Sequence, residues 1–308
     1  MIRDLDVVVV CEINVDIVVA GLDGPPRFGA EREVDDVLLT AGSSGVLTAT
    51  GLADLGLRVG ICGLIGDDPF GHFMLEHCAR HGIDTAGIVV DRAARTGASV
   101  LLTGTADRAI LTYPGAMARL ALDQVRPEVV ARARHLHLSS YFLQRTLRQR
   151  VPDLLARARA AGLTISADTG HDPDERWQVD RLLAYLDLFL PNEVEARAIS
   201  GRESVSAALE WLAGQAPAVA IKCGADGAVA ARGDERVCLP GFPIRAVDTT
   251  GAGDAFDAGF LRAWLAGESL AACVRDGNAC GALTAAHLGG TGALNLSRVE
   301  ALRTGGSW

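Results

Sequence analysis

Apolar residues along the chain gather in short runs, and glycine- or aspartate-bearing turns separate those runs from longer amphipathic stretches. Short, β-branched-rich runs predict strands at Val7–Val10, Val59–Leu64, His135–Ser139, Leu163–Ala167, Leu186–Leu190 and Val219–Cys223. The amphipathic stretches predict helices at Ser43–Leu55, Phe70–His81, Thr146–Ala161, Glu193–Ser200, Ser204–Ala213, Ala252–Ala266 and Leu270–His287. Strands that alternate with helices imply parallel pairing, because each crossover has to return over the sheet it left. The pattern therefore predicts one α/β domain over residues 1–308: a doubly wound, mostly parallel sheet with helices on both faces.

Two stretches depart from this rhythm, within residues of about 12–40 and 89–115. Leu22–Thr40 and Val89–Pro114 read as extended chain with turns and few helix signals. Between Gly97 and Tyr113, β-branched and apolar residues flank the turn-like Gly104–Arg108, which predicts a hairpin away from the main sheet. Together the two stretches could form a small β-sheet lid over the carboxyl ends of the strands, where open α/β sheets bind ligands. An ordinary surface excursion fits the pattern equally well.

Composition adds bounds. Hydrophobic residues make up 49% and charged residues 22%, enough apolar material for a substantial core. The net charge of −9 argues against a nucleic-acid partner, since such proteins usually present a basic face to the phosphates. Seven cysteines without a C-x-x-C pair support neither a disulfide framework nor a zinc site. Met1 leads directly into an apolar strand with no basic leader, and no apolar segment is long enough to span a bilayer. The expected setting is the cytoplasm, with reduced thiols and no membrane partner.

The most informative segment is Asp248-Thr249-Thr250-Gly251-Ala252-Gly253-Asp254-Ala255-Phe256, which opens an apolar helix. Small residues at 251–253 allow a tight turn and close approach of a ligand to amide groups at a helix N-terminus. An aspartate one step further is suited to take a proton from a hydroxyl lined up against a phosphate. Spacing alone leaves a second reading open, in which Asp254 only complements the helix dipole.

The run D-T-T-G-A-G-D-A-F-D-A-G-F over Asp248–Phe260 resembles the C-terminal signature of the ribokinase-like, or PfkB, family of carbohydrate and nucleoside kinases. The resemblance implies ATP and Mg²⁺ as cofactors, Asp254 as general base, and Gly251, Ala252 and Gly253 as an anion hole. Glu12-Ile13-Asn14-Val15-Asp16 is similar to the strand end where the family holds substrate hydroxyls, which implies that role for Asp16 with Asn14 beside it. Ala41-Gly42-Ser43-Ser44-Gly45 resembles the N-terminal glycine motif and places Gly42 and Ser43 on the substrate side. Pro191-Asn192-Glu193-Val194-Glu195 resembles the N-x-x-E motif, so Asn192 and Glu195 would lie near Mg²⁺ and the phosphates, Glu195 acting through water. The same pair would equally make a helix N-cap with an acidic first turn. Lys222 and Gly224 match the nucleotide-binding turn, where Lys222 would meet phosphate or reach to solvent. Asn278 matches a position near adenine, Gly289-Gly290-Thr291-Gly292 resembles a closing loop, and Asp248 with Thr250 could hold a monovalent cation, K⁺.

This chain departs from the family pattern in the acceptor pocket. Ser43 stands where the glycine motif has a second glycine, and Leu47 where it has an asparagine that contacts sugar. His137-Leu138-Ser139-Ser140-Tyr141 offers no carboxylate where ribokinases present one. An apolar leucine cannot replace a hydrogen bond, so the pocket should differ from that of a ribose kinase. Asp168 either faces the crevice or is a buried structural acid, and His137 and His171 read as polar strand or loop residues. The resemblance implies an ATP-dependent kinase acting on a hydroxyl of a sugar or sugar-like small molecule. A nucleoside kinase and a non-catalytic sugar- or nucleotide-binding regulator remain as alternatives, although the intact Gly251–Asp254 segment argues against the last. Relatives often pair through their lids, which makes a homodimer a candidate assembly.

Overall fold

The computed structural model describes residues 3–22, 24–104, 108–287 and 294–305. In chain order the strands are β1 (Val7–Val10), β2 (Asn14–Leu22), β3 (Asp36–Ala41), β4 (Val59–Gly66), β5 (Asp84–Asp91), β6 (Gly97–Gly104), β7 (Arg108–Tyr113), β8 (His135–Leu138), β9 (Thr164–Ala167), β10 (Leu188–Phe189), β11 (Ala218–Lys222), β12 (Ala228–Arg232) and β13 (Glu235–Leu239). Nine form the main sheet in the order β13-β12-β11-β10-β9-β8-β1-β4-β5. It is parallel from β11 to β5, and the β12–β13 hairpin adds an antiparallel edge.

The four valines of β1 show why such a run becomes a central strand. Val8 and Val10 pack into one core cluster and Val7 and Val9 into another, so both faces of the strand are covered. A continuous apolar run is what burial on both faces demands. From β1 the chain proceeds outward to β4 and β5, then returns to β8 on the other side and continues to β11. The direction of winding reverses between β1 and β8, and a crevice opens at the carboxyl ends of strands at such a switch point.

Helices at Ser44–Asp54, Pro69–Arg80, Glu193–Ser200, Val205–Ala213, Ala252–Leu265 and Leu270–Ala285 follow the predicted positions to within a few residues. The helix expected over Thr146–Ala161 instead divides into Arg145–Arg148 and Val151–Ala160. Pro152 lies in the first turn of the second piece, where its missing N–H is harmless, and proline disfavours a continuous helix leading into it.

The extended stretches form a separate four-stranded sheet, β3-β2-β6-β7, in which β2 and β6 run parallel and the outer pairs antiparallel. The expected hairpin pairs Ala98 with Tyr113 through to Thr103 with Arg108. The second stretch is divided between two sheets, however. Val89 pairs with Leu64 in β4, so Val89–Asp91 belong to the main sheet and the lid resumes at Gly97. Among the described residues, no helix is long and apolar enough to cross a membrane.

Candidate active site

Asp254 sits in the first turn of the Ala252–Leu265 helix. Gly251 precedes it with φ 72°, a left-handed conformation in which a side chain would be strained, and supplies no side-chain cap. The Ala252 N–H turns back to the Thr249 carbonyl at 3.2 Å, while Gly253 is exposed. The turn therefore brings the start of a helix, with its positive dipole end, to the surface at Gly253. Asp254 itself is 9% exposed. Burial first, then the charges of Asp168 and Asp16, push its carboxyl up to about 7, against the lowering influence of Lys222 and the Ser44 hydroxyl. The Thr48 hydroxyl reaches the Asp254 carbonyl at 3.5 Å and so links the Ser44–Asp54 helix to the site.

The residues expected on the acceptor side come together. Asn14 Nδ2 donates to Asp16 Oδ1 at 3.0 Å, and a Cβ on Gly42 would strike both of those side chains. Burial pushes Asp16 up to about 6, opposed by hydrogen bonds from Asn14 and Ser99. Ser43 adopts φ 72°, which explains why a glycine would suit this position. Its hydroxyl donates to the Glu12 carbonyl at 2.5 Å and accepts from Val46 N at 3.2 Å, capping the Ser44–Asp54 helix. Leu47 is buried in that helix.

Lys222, the chain's single lysine, does not reach solvent. It is 8% exposed, and its Nζ lies 2.7 Å from Asp168 Oδ2 and 3.0 Å from Asp257 Oδ1. Burial alone would raise Asp168, but Lys222 and a hydrogen bond with Asp257 hold it below the ordinary carboxylate range. Burial raises Asp257 well above that range, against the lowering influence of Lys222 and with the Asp168 charge adding to it, so the two acids share one ammonium between them. A Cβ on Gly253 would stand 3.9 Å from Nζ, which puts the lysine directly behind the exposed turn. Asp168 thus faces the site while being held by an ion pair. Sequence reasoning missed Asp257, whose signal was its place one helical turn after Asp254 on the same helix.

Asn192 and Glu195 form a full capping box. Glu195 N donates to Asn192 Oδ1 at 2.9 Å, while Asn192 N and Nδ2 donate to the Glu195 carboxylate at 3.1 and 2.6 Å. The helix-cap geometry is realised, and it aims the motif at the site, because Asn192 bridges to Lys222 and the Lys222 N–H donates to the Pro191 carbonyl at 3.0 Å. Burial and then the Asp168 charge push Glu195 up to about 7. Asn278, expected near the nucleotide, donates from Nδ2 to the Leu239 and Pro240 carbonyls at 3.2 and 3.1 Å. Gly227, which ends the turn begun by Gly224, packs against that same segment. Asp248 Oδ1 accepts from Thr250 N at 2.9 Å, and the Val247 and Asp248 amides tie this loop to the Ala285 carbonyl. The expected closing loop, Gly289–Gly292, lies outside the described residues.

As a place for Mg²⁺, the site offers Asp168 and Glu195 near the exposed turn. Among the described residues no cluster of three or more His, Cys, Asp or Glu is arranged to hold a metal ion. That donor set suits a hydrated Mg²⁺ carried by phosphates and met through water, the usual mode for this ion.

The model of the pfkB family carbohydrate kinases matches residues 4–295. The chain belongs to the PfkB family. It is 30% identical over 293 residues to an ATP-dependent ribose-1-phosphate kinase of Halopiger xanaduensis, covering 94% of this chain and 95% of that one. It is also 32% identical over 278 residues to a fructokinase of Klebsiella pneumoniae, covering 84% and 90%. In fold it is similar to an E. coli ribokinase II candidate solved with ATP and Mg²⁺, with a TM-score of 0.86 at 24% identity over 97% and 99% of the two chains. The fold, with its main sheet and separate small sheet, is thus that of the ribokinase-like kinases, and the chain falls within a family of carbohydrate kinases.

Proposed function

We propose that this PfkB protein transfers the γ-phosphoryl group of ATP to a hydroxyl of a sugar or sugar-like small molecule, with Asp254 taking the hydroxyl proton. The observation that supports this reading is Asp254 in the first turn of its helix, beside the exposed Gly253 and near enough for the Asp16 charge to act on it. A carboxyl pushed up to about 7 is partly ionised near neutrality and basic enough to accept a proton as the new O–P bond forms. Asp16, steadied by Asn14 against Gly42, suits neighbouring hydroxyls, since one carboxylate can accept from two of them. The amides of the turn and the helix dipole oppose the negative charge that develops on the moving phosphoryl group. Lys222 adds positive charge behind that turn while remaining bound to Asp168 and Asp257. Mg²⁺, when bound to the nucleotide, supplies charge neutralisation, and Asp168 and Glu195 are the groups that would meet its water shell.

The test is an ATP-consumption panel of sugars, sugar phosphates, sugar acids, polyols and nucleosides. ADP release that depends on a sugar-class acceptor is the expected result. Turnover confined to nucleosides would replace the acceptor class, and no turnover with any acceptor would contradict the reading. K⁺ dependence at the Asp248–Thr250 loop belongs to the same assay, as activation by K⁺ over Na⁺. The reading extends to a homodimer through the lid. Its edge strands β3 and β7 expose Val37, Leu38, Leu39, Ile110, Leu111 and Tyr113, a concentration of apolar side chains that water does not favour.

A further inference from the structure

Glu12 follows the last residues of β1, at the point where the winding of the sheet reverses, and it is 2% exposed. Its Oε2 has no hydrogen-bond partner among the described residues. An acid buried in that way is costly unless something pairs with it. The groups around it are hydroxyls and another acid: Ser43 and Ser140 act on it as hydrogen-bonding neighbours and Asp254 as a charge. Burial, with Asp254 adding to it, pushes the Glu12 carboxyl up to about 8.

Further unpartnered polar atoms line the neighbouring strands and their exits. Ser139 Oγ, just past the end of β8, and Thr169 Oγ1, beyond β9, are buried without partners among the described residues, as are Gln144 Oε1 and His137 Nε2. They are held in place by good backbone geometry. Ser139 N donates to Val10 O at 3.2 Å, Gln144 Nε2 to Ser139 O at 2.6 Å, and Asp168 N to Leu138 O at 3.0 Å. The Cβ that Gly45 lacks would lie 3.1 Å from Ser139 Cβ, so β1, β8 and the start of the Ser44–Asp54 helix close on one another here. Burial lowers His137 to about 4, so its ring is neutral near pH 7. The wall that includes Glu12 is thus polar and oriented by its backbone, with Lys222 the cation that reaches His137 and Asp254.

We propose that Glu12 is a specificity-determining residue whose carboxyl, with the Ser140 hydroxyl, hydrogen-bonds a hydroxyl of the acceptor beside Asp254. A neutral carboxyl can both donate to and accept from such a hydroxyl. This rests on the kinase reading above and adds a substrate contact to it.

The experiment takes an acceptor found in the panel, together with its single-deoxy analogues, and compares wild type with Glu12→Ala. The expected result is a rise in acceptor KM of at least about tenfold with ATP KM within about twofold. One deoxy analogue, poor for wild type, should be no poorer than the parent acceptor for the variant. An active wild type whose acceptor KM is unmoved by Glu12→Ala, or analogues that lose equally in both proteins, overturns the role of Glu12 alone. A wild type that shows no acceptor-dependent ATP consumption anywhere in the panel overturns the kinase reading itself and this contact with it. Should Glu12→Ala not fold, Glu12→Met fills a similar volume without a polar end, with the same expected and overturning results.

Discussion

Position 42 has no room for a side chain, because a Cβ there would run into Asp16 Oδ1 and Asn14 Nδ2. Gly42→Ala is expected to displace the two groups offered to the acceptor and raise its KM by about tenfold or more, leaving ATP KM nearly unchanged in steady-state kinetics. Ser43 is held at φ 72° by hydrogen bonds to Glu12 O and from Val46 N. Ser43→Ala keeps the strained backbone and loses the cap, so urea unfolding should show a loss of about 1–2 kcal/mol. Asp254, Asp16 and Gly42 were singled out because each lies in a short contiguous motif that resembles the family's, although the close approach of Gly42 to Asp16 and Asn14 joins two separate motifs. Glu12 and Asp257 were not. Their character comes first from burial and then from groups distant in the chain, Ser140 and Asp254 for one and Lys222 with Asp168 for the other. The signals were faint: an acid directly after an apolar run, and a lone lysine after another.

Among the elements, the cluster of Lys222, Asp168 and Asp257 joins the end of β11, the exit of β9 and the Ala252–Leu265 helix behind the exposed turn. Removing the ammonium leaves acids buried without their counter-charge. Lys222→Met should therefore destabilise the protein by roughly 3–5 kcal/mol in urea unfolding, and an Asp168→Asn change on that background should recover part of the loss. The strands of the central sheet were legible because burial on both faces requires uninterrupted β-branched runs such as Val7–Val10. The extended character of residues 89–91 was equally visible, but its sheet was not. Membership is decided by pairing, here Val89 with Leu64, and side-chain pattern carries no record of which strand lies alongside. The β12–β13 hairpin went unread for a related reason. Both strands are short, and β13 is largely exposed, so little hydrophobic pattern marks it.

Across the whole molecule, the acidic groups gathered at the site leave a signature in stability. Glu12, Asp254, Glu195 and Asp16 have folded-state values of about 8, 7, 7 and 6, above their ordinary range. The folded protein therefore holds more protons than the unfolded chain, and stability is lost as pH rises through those values. Buried His77, His135 and His137 are lowered to about 4, 3 and 4, which makes stability rise with pH, but only up to the ordinary histidine value near 6.5. Between about pH 6.5 and 8 the acids act alone, so Tm should fall across that window. Glu12→Gln should flatten the fall, and a wild-type Tm that holds or climbs there would contradict the account. The lid supplies a second test at this scale. Leu38→Glu with Leu111→Glu should convert a dimer to monomers in sedimentation velocity, and a wild type that sediments as a monomer would remove the proposed assembly.

The central claim is that Asp254 deprotonates the acceptor, and single-turnover phosphoryl transfer by Asp254→Asn tests it most directly. With acceptor and ATP both saturating, the account predicts a rate lower by roughly 10²–10⁴-fold, with Tm no lower than that of wild type because a buried acid has been removed. A variant that transfers phosphate at the wild-type rate would contradict it.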